Sequence, residues 1–271
     1  MWVIGTIIVV ILGAAVTAAL GWSPRVTPGP PLWDIPELGG TFAGSTGTLA
    51  GFSFAAAIFI AGLDSARTSP LFATVFGMML TGFLILVVAV WIVASTPNVR
   101  HAEEATAQSL ALVLGNLCGN LGVSITWLAL APLMAMIGVS SLAAVFIWPL
   151  LIMVLIAGGW AALFAYRLTM ASALACLAIP VLGFAAPALY RLVAVRLWPS
   201  LWPTSGDALP FAFVALGAAG LMFALNMGLF AAHGNKPVQE RLQRDSHRIV
   251  LACSQAYVAV VGLTWFAVAL P

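Results

Sequence analysis

The chain has 271 residues, of which 63% are hydrophobic and 7% charged, and its mean hydropathy is +1.11. An ordinary soluble domain is about half apolar and roughly a quarter charged, so a water-surrounded fold is excluded. Disorder is excluded too, because so apolar a chain has ample surface to bury.

Ten basic residues against eight acidic ones give a net charge of +2 without a continuous basic tract, which excludes nucleic acid as a partner and leaves membrane lipid. The fold class expected is all-α, a polytopic helical membrane protein forming a single membrane domain over residues 1–271 with no soluble domain. Apolar runs of spanning length fall near 2–22, 42–63, 70–95, 109–137, 141–166, 168–193, 208–232 and 248–270, which makes eight passes. The short Gly138-Val139-Ser140-Ser141 connection also allows seven, with a re-entrant or tilted element there. The first run lacks the basic leader of a cleaved signal peptide and is read as the first helix.

Basic residues set the orientation, because lysine and arginine accumulate on the cytoplasmic side. With the N-terminus outside, the inner loops hold Arg25, Arg100, Arg167, Lys236, Arg241, Arg244 and Arg248, and the outer loops Arg67, Arg191 and Arg196. That imbalance places both termini outside, in the cell membrane of a prokaryote. Trp2, Trp22, Trp33, Trp91, Trp198, Trp202 and Trp265 lie near span ends, where an indole is half buried and its N–H stays satisfied.

The second helix carries Gly40, Gly44, Gly47 and Gly51 at steps of four, three and four, along one stripe. Helices in lipid are held by close backbone approach, so this groove is expected to receive another helix, within the chain or from a neighbouring subunit. Ser45, Thr48 and Ser53 lie in the same segment and are candidates to face water or a solute. A second stripe, Gly115, Gly119, Gly122 and Thr126, marks the fourth helix, with Asn116 and Asn120 on an adjoining face. A carboxamide in hydrocarbon needs a hydrogen-bond partner, and Asn226, and Gln255 with Tyr257, are the partners expected. A third stripe, Gly217, Gly220, Ala224 and Gly228, runs through the seventh helix. Pro132, Pro149, Pro180 and Pro187 fall within spans and are expected to bend them.

No Asp, Glu, Lys or Arg falls near the middle of a span, where proton-coupled transporters commonly place one. Asp64 and Arg67 read as an interfacial ion pair. Zincin, nucleophile-elbow, Walker and dinucleotide-binding motifs are absent, and Cys118, Cys176 and Cys253 stand alone in apolar runs, so no cofactor or metal is expected.

The segment 233–248 reads as a short helical collar, in which Glu240 and Arg244 have the spacing of a helical pair and Lys236, Arg241, Arg244 and Arg248 are candidates for lipid or partner docking. The function expected is permeation, by a channel or facilitator-like protein assembled as an oligomer. The alternatives are a noncatalytic subunit or scaffold that receives helices of other membrane subunits, and an interfacial lipid-acting enzyme using His101, Glu103, Glu104 or His247.

Overall fold

The computed structural model describes residues 2–20, 35–95, 105–139, 170–202, 208–231 and 236–269. Among them every regular element is helical: α1 (Trp2–Leu20), α2 (Ile35–Gly62), α3 (Asp64–Arg67), α4 (Phe72–Ala94), α5 (Ala105–Leu128), α6 (Leu130–Met136), α7 (Met170–Leu197), α8 (Leu209–Ala231) and α9 (Lys236–Ala269), with a 3-10 turn at Pro199–Leu201. Among the described residues five stretches are long and apolar enough to cross a bilayer: 39–62, 72–94, 110–136, 209–231 and 248–268. They match five of the eight expected spans to within a few residues. The first expected span coincides with α1 and the sixth with α7, while the fifth, 141–166, lies outside the described residues.

Local chemistry explains the breaks. Pro132 has no N–H to give to the preceding turn, and the helix divides just before it, with Leu133 N donating to Ala129 O at 3.2 Å to restart the ladder. The same helix stops at Gly138, whose φ of 80° is the left-handed conformation that favours glycine. Val139 N donates to Met134 O at 2.9 Å and Gly138 N to Ala135 O at 3.2 Å, the paired bonds of a glycine-terminated helix end. The Gly138 connection is therefore a helix stop. By contrast, Pro180 and Pro187 lie inside an uninterrupted α7.

Side-chain contacts order the helices across the membrane. Near one end, Leu209 approaches Gly77, Phe211 meets Trp202 at 5.2 Å, Trp202 meets Tyr190 at 5.9 Å, and Tyr190 approaches Gly5. At the other, Asn226 donates to Ser95 Oγ at 3.3 Å and Val93 lies against Gly39 and Gly115. We refer to these ends as the Gly77 side and the Ser95 side. α4 and α8 run from the first to the second, and α2, α5 and α9 run back. α7 ends on the Gly77 side, so it runs in the same direction as α5. Trp2 and Ala269 are both on the Gly77 side.

α4 sits between α2, α5 and α8, and α9 sits between α1, α5 and α7. Met78, Met79, Ile85 and Ile92 of α4, Leu114, Leu117, Leu121 and Ile125 of α5, Phe211 of α8 and Tyr257 and Val261 of α9 form the continuous buried core.

Candidate functional site

The tightest helix contact is between α4 and α5. A Cβ placed on Gly122 would lie 2.7 Å from Leu86 Cγ and 3.1 Å from Gly82 O, and one on Gly82 would meet Thr126 Oγ1 and lie 3.1 Å from Gly122 O. Each glycine therefore faces the other helix's backbone. Gly115 is occupied the same way by Val93, and Gly119 by the ring of Phe42, 3.1 Å from a Cβ there. The fourth-helix stripe thus packs against α4 and α2. Gly82, absent from the stripes read in the sequence, completes it from α4; an isolated glycine in an apolar span carries no spacing signal.

α2 behaves differently. Among the described residues Gly40, Gly44 and Gly51 have nothing within 4 Å of a Cβ position, and Gly47 has only Val90, at 3.9 Å. The expectation that another helix of this chain fills that groove is not met among the described residues. α2 instead meets α4 through Gly39, against Val93, and Ser53, on Met79 O, and Thr46, Ala50, Ala57 and Ile60 are buried on that same face. That second small-residue stripe also follows helical steps, and its methyls and hydroxyls supply contact that glycines lack. The outward face of α8 resembles that of α2: Gly217, Gly220 and Gly228 also face open space.

Of the candidate polar residues, Ser53 is buried and donates to Met79 O at 2.8 Å. A hydroxyl has one proton, so Thr126, 3.2 Å away, is the donor to Ser53 Oγ. Ser53 is therefore a packing link between α2, α4 and α5. Ser45 and Thr48 are exposed, and their hydroxyls donate to Phe42 O and Gly44 O of their own helix, each at 3.0 Å. This back-bonding satisfies a hydroxyl without water.

The carboxamides divide into separate places. Asn120 Nδ2 donates to Asn116 Oδ1 at 2.8 Å and Asn116 O at 3.0 Å, on a half-buried face of α5 that also holds Val113, Val123 and Trp127. Their expected partners lie elsewhere: Asn226 binds Ser95, and Gln255 is buried where α1 and α7 approach α9, near Gly13 and Gly183. A bond between α5 and α9 joins Ser124 and Tyr257, 3.3 Å apart in the core. Tyr257 is among the partners that the sequence offers the α5 carboxamides, but it meets Ser124 instead; a lone serine in an apolar run has no pattern.

At the membrane ends, Asp64 and Arg67 approach to 4.0 Å with both side chains exposed, while Arg67 Nε donates to Ala61 O at 2.6 Å. The expected collar is not a separate element: α9 is one helix from Lys236 to Ala269. No glycine occurs between Lys236 and Val261, and Pro237 sits in the first turn, where a missing N–H costs nothing. Arg248 pairs with Asp245 at 3.3 Å, and the side chains of Arg244 and His247 lie outside the described ones. His101, Glu103 and Glu104 also fall outside the described residues. Among the described residues no three His, Cys, Asp or Glu side chains gather as a metal site would require.

No protein-family model matches the chain, and no curated protein or solved structure matches it.

Proposed function

We propose that this protein is a membrane-embedded subunit that works by lateral assembly, with the outward glycine face of α2 as its contact surface. One observation carries the reading: Gly40, Gly44 and Gly51 lie along a membrane helix with no atom of the described residues within 4 Å of a Cβ position. Glycine is a poor helix former and offers acyl chains little to pack against, but it lets a second helix approach to backbone distance. Phe52 and Phe59, exposed at 69% and 68%, stand on the same helix as ready contact area. The expected occupant is a second copy of this chain or a helix of another subunit.

Eight crossings complete the proposal, because α5 and α7 run in the same direction and the segment joining them must return across the bilayer. The Ser95 side, which carries Lys236, Arg241, Arg244 and Arg248, is the cytoplasmic one, and both termini are outside.

Native mass spectrometry from lipid nanodiscs tests assembly. The wild-type chain is expected as an oligomer or a stoichiometric complex, and Gly44→Leu with Gly51→Leu as a monomer of unchanged thermal stability. A monomeric wild-type chain overturns the reading.

A second reading, permeation, is favoured by the Asn116–Asn120 pair on the half-buried face of α5, where carboxamides are placed to meet a polar solute. Reconstituted vesicles are expected to pass an ion or small polar solute, with flux altered by Asn120→Leu. Vesicles that stay solute-tight and electrically silent dismiss it.

A further inference from the structure

The charged segment of α9 has a role that lateral assembly does not use. α9 is 34 residues long, and the apolar run in its sequence begins after Arg248. Residues 236–247 therefore continue the same helix beyond the apolar core on the Ser95 side, over roughly 18 Å at 1.5 Å per residue. Arg241, Arg244 and Arg248 follow steps of three and four, so they share one helix face, with successive positions roughly 5–6 Å apart. Val238 and Leu242 fall on a different face. Arg241 is exposed, and Arg248 is fixed at the boundary by its bond to Asp245 Oδ1 at 3.3 Å.

Depth decides what this face meets. A bilayer has a core of about 30 Å inside a total of about 40–45 Å, so each headgroup layer is roughly 5–8 Å thick. With Arg248 at the inner edge of that layer, Arg244 is roughly 6 Å further out and Arg241 roughly 10 Å. The first two lie at the depth of lipid phosphates, and the third just above them. A guanidinium binds phosphate through paired N–H bonds, and its charge is only weakly hydrated, so arginine suits this depth better than lysine. Four cations, Lys236, Arg241, Arg244 and Arg248, stand against Glu240 and Asp245 in the segment, which leaves a net positive charge that favours anionic headgroups over zwitterionic ones.

We infer that the Arg241–Arg244–Arg248 face is a binding site for the phosphate of anionic phospholipids in the Ser95-side leaflet. The test compares the full-length protein in nanodiscs of phosphatidylcholine alone and of phosphatidylcholine with phosphatidylglycerol, measuring lipid retained by native mass spectrometry and the thermal midpoint. The wild-type chain is expected to retain phosphatidylglycerol and to melt higher in its presence. Removing each arginine, as in R241Q/R244Q/R248Q, lowers phosphatidylglycerol affinity about fivefold per residue. R196Q, on the Gly77 side, leaves it unchanged. Should the triple variant not fold, R241Q/R244Q keeps the Arg248–Asp245 pair and reads the same loss. Inorganic phosphate added to phosphatidylcholine nanodiscs is expected to give no rise in melting. Equal phosphatidylglycerol retention by the wild-type and variant chains overturns the site, and a phosphate effect matching that of phosphatidylglycerol overturns the lipid as its ligand.

Discussion

The glycine faces of α5 and α2 have the same spacing and opposite surroundings. On α5, Gly115, Gly119 and Gly122 are filled by Val93, Phe42 and Leu86. On α2, Gly40, Gly44 and Gly51 are open. Spacing specifies a groove but not its occupant, and the occupant depends on what the facing helix offers. α4 brings Gly82 against Gly122, so two bare backbones meet. Toward α2, α4 presents Met79 O, which a serine can bind and a glycine cannot, and the Thr46–Ala50–Ser53–Ala57 face wins that contact.

Substitutions break or sharpen this contrast. The largest effect is expected for Gly122→Leu, whose side chain has no room between Leu86 and the α4 backbone; loss of the folded monomer in a thermal-melt or proteolysis assay checks it. Gly82→Ala should cost about 1–3 kcal/mol, since the atoms it meets include backbone and the Thr126 hydroxyl that supports Ser53. Tyr257→Phe should cost about 1 kcal/mol in reversible unfolding, by leaving Ser124 without its partner in the core. Gly40→Ala should be neutral or stabilise the isolated chain by up to about 1 kcal/mol, because it meets nothing and improves helix propensity. A cost at Gly40 comparable to that at Gly82 would erase the distinction between the two faces.

Much of the fold was legible because the bilayer imposes a length on each apolar run. The boundaries at Asp64–Pro70 and at Gly138 carried turn and helix-stop residues, and the described spans begin and end near them. The continuity of α9 was not legible: a charged, amphipathic segment reads as a short helix separate from the apolar span, although nothing between them breaks the helix. Partner choice was the least legible. Asn116 and Asn120 satisfy each other one turn apart, which an i, i+4 spacing permits, whereas the Asn226–Ser95 bond depends on how α8 docks beside α4. Ser53 had the composition of a passage lining and the burial of a packing residue.

The assembly account is tested most directly by disulfide cross-linking in native membranes. Single cysteines are placed at successive positions from Gly40 to Gly51 in a chain whose Cys118, Cys176 and Cys253 have been replaced. The account predicts cross-linked species peaking at 40, 44, 47 and 51 and falling at Thr46 and Ala50, which face α4. A flat profile, or one that peaks on the α4-facing positions, would contradict it.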